Sequence, residues 1–350
     1  MDGKKTTRKR RGDGKPTIRN VAIQAGVSPI TVSRALRDPD RVSPELRERV
    51  DLAVKELNYV PNLSARTLAS HHTDVVGVLV PSLASTIFSD VLKGISDGIA
   101  STRLQIQVAT NNYSNVEEYT ILSSLLRQKP AGIIVSGTQQ SPQVREMIQS
   151  SGVPVVQIME LATDPIDMMV GFSHHQAGLK MTEHLIEMGY KRIGFVGGGR
   201  FNNRALSRLE GFTEALRKAN MFDANLILIE DKAVDAVMGR QAFRALHTRS
   251  PDVDAVFCNN DQLALGALFE AASLGLDVPE QIGIAGFNDS PVLAACNPSL
   301  STVLTRRYEV GRAAIELLSR RLEGDDDHTR VIDVGFEIIK RDSTARKGSS

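Results

Sequence analysis

The apolar positions of the chain follow two regimes, helical spacing first and short β-branched runs afterwards. Between Thr17 and Ala25, the residues Ile18, Val21, Ala22 and Ala25 recur at the three- and four-residue spacing of one helix face, with Thr17 placed to cap it. Gly26 predicts a left-handed stop, because glycine takes that conformation without a Cβ penalty, and Val27 follows to plug the corner. Ser28 caps a second helix with Pro29 in its first turn, where a missing N–H costs nothing. Val32, Ala35 and Leu36 face inward from it. A third helix opens at Ser43-Pro44 and turns Leu46, Val50, Ala53, Val54 and Leu57 inward. Two short helices about a tight glycine turn, backed by a third, predict a small all-α helix-turn-helix head over residues 17–61.

From Asp74 the period changes to βα alternation. Strands are expected at 75–80, 104–109, 132–135 and 153–158, separated by helices at 87–101, 116–127 and 143–150. The pattern then restarts with helix 175–189, strand 192–196, helix 204–219, strand 225–229, helix 236–248, strand 254–257, helix 261–275 and strand 281–285. Two successive βα series predict two doubly wound parallel sheets, hence an α/β body of two lobes over residues 74–340. Ligands bind at the C-terminal strand ends of such sheets, so the cleft between the lobes is the expected ligand site.

Length and composition narrow the class. At 350 residues and 41% apolar content the chain suits two or three globular domains. No apolar run reaches the roughly 18 residues of a membrane span, and the basic N-terminus is followed by no apolar signal region. Cys258 and Cys296 alone give no disulfide framework or metal motif, so a cytoplasmic setting is expected. The net charge of +1 hides an asymmetry: residues 1–72 carry 15 basic against 8 acidic side chains, and the remainder is acidic. A basic head on an acidic body predicts that the head alone meets a polyanion. Residues 1–16 are too polar to bury a core, and a disordered, phosphate-attracting tail is expected there. On the second helix Thr31, Ser33 and Arg34 offer groups that reach phosphates and base edges, which makes double-stranded DNA the expected polyanion.

The head motifs Val21-Ala-x-x-Ala-Gly-Val-Ser28, Thr31-Val-Ser-Arg34 and Asn58-Tyr-Val-Pro-Asn62 resemble those of the LacI/GalR repressors, and the resemblance extends to the C-terminus. It implies a periplasmic-binding-protein-like body on a palindrome-binding homodimer. It also implies that Pro29 and Ile30 lead the recognition helix into the major groove, with Arg34 contacting bases. Neither Pro29 nor Ile30 carries a side-chain donor, so readout there is apolar, as against a thymine methyl. Thr17 and Ser28 complete the expected DNA-facing set of the head. Residues 62–73 match the family's hinge helix, in which Asn62, Ala65 and the wedge position Leu68 meet the minor groove; such a short helix folds on docking. The family's chain crosses between lobes three times, here near Gly171, near Thr302 and near a final strand at 331–339. One lobe then comprises 74–171 and 303–324, the other 172–302 and 329–340, with a disordered tail at 341–350.

The resemblance also places an effector site. Arg208, three residues before Gly211-Phe212, matches an effector-gripping arginine able to clamp a carboxylate or vicinal hydroxyls. Asn260 is the expected ligand contact, while Asp261 is expected to cap the next helix. Asn288 stands where the family often has Asp, which removes a negative charge and favours an anionic effector. Ser82 and Phe88 are expected on the opposite wall. Val155-Val-Gln-Ile-Met-Glu160 and Met169-Val-Gly-Phe-Ser173 are similar to the gluconate-utilisation branch, which implies a sugar acid such as gluconate or a ketogluconate. Gly197-Gly-Gly199 lacks a complete dinucleotide fingerprint, and His174, His175 and His184 lack metal-pair geometry and are expected to be solvated or at a lobe interface. No cofactor is expected, and no catalytic constellation supports an enzyme. The competing readings are a corepressor-dependent regulator, a regulator answering a neutral sugar and, more distantly, a sugar-binding protein without a DNA role.

Overall fold

The computed structural model describes residues 16–37, 41–60, 73–83, 86–198, 203–230, 234–325 and 329–346. They fall into two compact units that divide between Thr73 and Asp74. The first holds α1 (Ile18–Ala25), α2 (Pro29–Arg37) and α3 (Pro44–Glu56). Gly26 takes φ +64° and the Val27 amide donates to Ala22 O at 3.0 Å, which closes α1. Ser28 Oγ accepts from the Thr31 amide at 3.1 Å and starts α2. Val21, Ala22, Ala25, Val32, Ala35, Val50 and Ala53 form the buried core. Leu46, expected in it, stays half-buried outside that cluster. Arg49 of α3 donates to the Ala25 carbonyl at 2.6 Å, so a cation ties the third helix to the turn.

The second unit contains the two lobes. In the first, β1 (Val75–Val80), β2 (Gln105–Thr110), β3 (Gly132–Ser136), β4 (Val155–Ile158), β5 (Met168–Gly171) and β11 (Val331–Asp333) make one parallel sheet in the order β11-β5-β4-β3-β1-β2. Alternation along β1 sends Val76, Val78 and Val80 to one face, under α4 (Thr86–Ile99) and α12 (Arg307–Leu322). Leu79 points to the other, under α5 (Asn115–Arg127) and α6 (Pro142–Ser151). The second lobe has the parallel order β7-β6-β8-β9 from β6 (Ile193–Gly198), β7 (Ile227–Glu230), β8 (Ala255–Cys258) and β9 (Gly283–Ala285). One face packs on α7 (His174–Glu187) and α8 (Asn203–Lys218), the other on α9 (Ala236–Arg249) and α10 (Asp261–Ser273). A short α11 (Val292–Ala295) precedes an antiparallel pair, β10 (Thr302–Thr305) with β12 (Phe336–Ile339).

Three sequence expectations change here. The expected strand at 331–339 is two: β11 adds to the first lobe's sheet, and the chain turns at Gly335, φ +68°, into β12. Residues 331–333 therefore belong to the first lobe, not the second. The second crossing lies between Thr305 and Arg307, a few residues after Thr302. Residues 341–346 are no loose tail. Ser343 and Thr344 are buried, and Ser343 Oγ donates to Ile284 O at 2.6 Å, so backbone polarity at the β9 edge is satisfied by this segment.

Three helix pairs in the body meet backbone to backbone through glycines. A Cβ on Gly178 or Gly211 would stand 2.3 Å from Arg208 O or 2.0 Å from His175 O, across α7 and α8. Gly94 with Gly311 joins α4 to α12, and Gly239 with Gly266 joins α9 to α10, at equally short approaches. In an ordinary helix interior Gly→Ala stabilises by about 1 kcal/mol. Here the added methyl must push a helix away, so Gly211→Ala and Gly311→Ala are each expected to destabilise by about 1–3 kcal/mol in urea unfolding. A stabilised variant would contradict the close-contact account.

Candidate functional site

In the head, the side chains of the first turn of α2 lie on the surface. Ser28, Pro29, Ser33 and Arg34 are exposed, and Ile30, an apolar residue, is 73% exposed. Thr31 is half-buried and shares a 2.8 Å hydrogen bond with Ser28. Thr17 is engaged locally: its amide donates to Asn20 Oδ1 at 2.9 Å. The head thus presents an exposed helix N-terminus bearing short polar groups, one apolar tip and one cation. Asn62, Ala65 and Leu68 lie outside the described residues.

In the body, the line between the lobes is organised around Arg208 of α8, only 8% exposed. Its Nη1 donates to His174 Nδ1 at 3.0 Å, and its guanidinium lies 4.3 Å from the Phe287 ring centroid. His174, at the start of α7, uses Nε2–H to reach Met159 O at 3.0 Å, at the end of β4 in the other lobe. Those two partners fix the tautomer: Nδ1 must accept, so the ring is neutral. Burial, then Arg208 and Arg204, push His174 well below its ordinary 6.5. Burial and Arg204 lower Arg208 to about 9, still above neutrality, so it is cationic at pH 7. A buried cation therefore leans on a neutral ring, and its Nε is buried without a hydrogen-bond partner among the described residues.

A second cation adjoins it. Arg204 Nη1 donates to Ser136 Oγ at 3.3 Å, across the lobes, and its Nε lies 3.9 Å from Glu160. Asn288 is 8% exposed at φ +113°, followed by Asp289 at φ +55°; two consecutive left-handed residues mark a strained turn. Arg307 holds that turn: it donates to Asn288 O and, through Nε, to Asp90 Oδ2 at 2.9 Å. The side-chain amide of Asn288 makes no hydrogen bond among the described residues.

Sequence expectation and structure differ at several positions. Asn260, not Asp261, caps α10: its Oδ1 accepts from the Leu263 amide at 3.1 Å. Asp261 is buried instead, accepting from the Ser290 amide at 2.7 Å and Thr302 Oγ1 at 3.0 Å, and burial raises it to about 6. Phe88 is a core residue of the first lobe, 1% exposed, rather than an open wall; Arg204 lies 6.0 Å from its ring. Ser82 is half-buried just after β1. Of the three histidines expected to be solvated or at a lobe interface, His174 takes the second setting, buried against Met159 of the other lobe. His184 is buried and in neither setting, and His175 stays near the surface, 3.1 Å from Glu214. The sequence pattern marks none of Arg204, Glu160 and His174 as ligand groups. Only their strand-end and helix-start positions signalled them, because the contacts that converge them span the two lobes.

A helix-turn-helix head and a two-lobed α/β body define a class of DNA-binding transcriptional regulators. Residues 17–62 match the bacterial regulatory proteins of the lacI family, and residues 182–344 match the periplasmic binding protein-like domain. The chain is 39% identical to the HTH-type transcriptional regulator GntR of Pseudomonas aeruginosa over 97% of this chain and 99% of that protein. It is similar to a solved LacI-family transcriptional regulator from Silicibacter pomeroyi, with TM-score 0.88, 38% identity and coverage of 95% and 100%. It is also similar to the Lac repressor dimer solved with operator and the anti-inducer ONPF, at TM-score 0.82, 25% identity and coverage of 94% and 99%. The chain belongs to the lacI family of bacterial regulatory proteins and is a DNA-binding transcriptional regulator, not an enzyme. No helix among the described residues is long and apolar enough to cross a membrane.

The buried groups set a pH dependence. Unfolded histidines take up protons as pH falls through 6.5, whereas folded His174, and His184 at about 4, do not, so stability is lost below pH 6.5. Asp261 runs the other way: folded it binds a proton near pH 6, unfolded only near 3.8. Each proton is worth roughly 1.4 kcal/mol per pH unit. In urea unfolding between pH 6 and 5, His174→Gln is expected to flatten the loss of stability and Asp261→Asn to steepen it. Equal slopes in both variants and the parent would contradict these burials.

Proposed function

We propose that this regulator is a homodimeric repressor that binds a palindromic operator and is released by a sugar acid, such as gluconate or a ketogluconate, held between the lobes of its body. The observation that carries the effector reading is the buried Arg208 cation with a neutral partner and an unsatisfied Nε. Among the described residues no carboxylate forms an ion pair with Arg208, although Glu160 and Asp261 act on it from farther off. A buried cation without a hydrogen-bonded anion is costly, and an effector carboxylate accepted by its fork relieves that cost. Arg204 adds a second positive charge, and the amide at Asn288 contributes a neutral hydrogen-bonding group that suits hydroxyls. Asn260 keeps its Nδ2 for a ligand while Oδ1 caps α10. Ser82 borders the first lobe's side.

In the head, Arg34, Ser33 and Thr31 read phosphates and base edges, Ile30 and Pro29 make apolar base contacts, and Ser28 and Thr17 fix helix starts against the backbone. Asn62, Ala65 and the wedge Leu68 act in the minor groove. A two-fold palindrome requires two heads, and the similar Lac repressor structure is a dimer on its operator. The work of such a protein is done on the chromosome, in the cytoplasm.

Selection from a pool of random duplexes by the full-length protein tests this reading. A two-fold palindrome is expected to be enriched. Arg34→Ala is expected to weaken the enriched duplex by about 1–3 kcal/mol relative to the parent. Millimolar gluconate, added to the complex in a fluorescence anisotropy titration, is expected to release it. Tighter binding with gluconate would reverse the sign to corepression. Release by glucose alone would replace the sugar acid with a neutral sugar.

A further inference from the structure

Glu160 is a negative charge built into the same line of residues. It follows β4 in the first lobe, its side chain 16% exposed. Its Oε2 accepts from Thr138 Oγ1 at 3.1 Å. Its Oε1 would stand 3.2 Å from a Cβ on Gly137, so the carboxylate fills space that a side chain would take there. Its backbone is fixed as closely, since a Cβ on Gly171 would fall 2.5 Å from Glu160 N and O. Across the lobes Arg204 faces Oε1 at 3.9 Å while also donating to Ser136. The charge of Glu160 also favours the protonated form of Arg208. One carboxylate thus faces Arg204 of the opposite lobe and acts on the charge of Arg208 as well.

We propose that Glu160 is an internal counter-ion that competes with the effector's carboxylate for the Arg204–Arg208 pair, and so sets how strongly the protein prefers an acid to a neutral sugar. The inference rests on the reading of Arg208 as the effector clamp. An incoming carboxylate meets the pair with part of its charge already answered, and it is repelled by Glu160 at short range. Replacing Glu160 by its amide keeps size and a hydrogen-bonding oxygen for Thr138 but removes both effects. Were Glu160 instead an acceptor for effector hydroxyls, the same replacement would weaken binding. The sign of the change separates the two roles.

The test is calorimetric titration of full-length protein with gluconate and with glucose. Glu160→Gln and Glu160→Ala are both expected to tighten gluconate by about tenfold, the equivalent of roughly 1.4 kcal/mol. Glucose is expected to change by less than about twofold in either, and Glu160→Asp, which keeps the charge, is expected to stay within about twofold of the parent for gluconate. Unchanged or weaker gluconate binding in both uncharged variants overturns the proposal. If the parent binds gluconate through Arg208 and that result is obtained, only the role of Glu160 fails. If no variant and no parent protein binds gluconate, the Arg208 reading falls together with it.

Discussion

The contact of α7 with α8 through Gly178 and Gly211 is the constraint on which the body's chemistry depends. Two helices that touch backbone to backbone have no side-chain layer through which to shift. The facing atom at Gly178 is the carbonyl of Arg208 itself, so the helix contact directly places the residue whose side chain matters most. His174 begins the helix on the other side of that contact, within 3.0 Å of the guanidinium and of Met159 O in the first lobe. Packing thereby sets a chain of hydrogen bonds from one lobe through an imidazole to a buried cation.

Electrostatics gives that geometry its direction. Arg208 is desolvated beside another arginine and a histidine that burial keeps neutral. Negative charge reaches Arg208 from Glu160, in the other lobe, and from buried Asp261 in its own lobe; Glu160 itself faces Arg204, at 3.9 Å. The Arg204–Glu160 pair thus places a cation and a carboxylate on opposite sides of the line between the lobes. Arg307 makes a parallel connection: it joins the strained Asn288 turn to Asp90 of α4. If the body responds to a ligand as proposed, charged connections of this kind are elements whose arrangement a ligand could bias.

Much of the fold was legible because it rests on local periodicity. The head helices and both βα series follow from spacing and caps, and Gly26 and Ser28 lie where their chemistry requires. The lost details are those decided by distant segments. Nothing local in 331–339 says that its two halves pair with strands of different lobes. Ser343 and Thr344 read as a polar tail until Ile284 and Ser301 supply buried partners. Asp261 reads as the cap and its neighbour Asn260 as free for a ligand, and distant groups reverse the cap: Thr302 and Ser290 claim Asp261, which leaves the capping to Asn260. Arg208 was legible from its motif, whereas its partner His174 and the opposed pair Arg204 and Glu160 needed the assembled lobes.

The central claim, that a buried arginine makes this cleft a receptor for an anion, is tested most directly by calorimetry on Arg208 itself. Full-length parent protein, Arg208→Ala and Arg208→Lys would be titrated with gluconate and with glucose. The account predicts that the parent binds the acid in preference to the neutral sugar. It predicts that Arg208→Ala loses the acid by roughly 100-fold or more, in line with the ~2–5 kcal/mol that truncating one partner of a buried charge pair costs. Arg208→Lys should fall between the two, since an ammonium keeps the charge but not the fork. Binding of gluconate that survives Arg208→Ala undiminished, or a parent protein that prefers glucose, would contradict it.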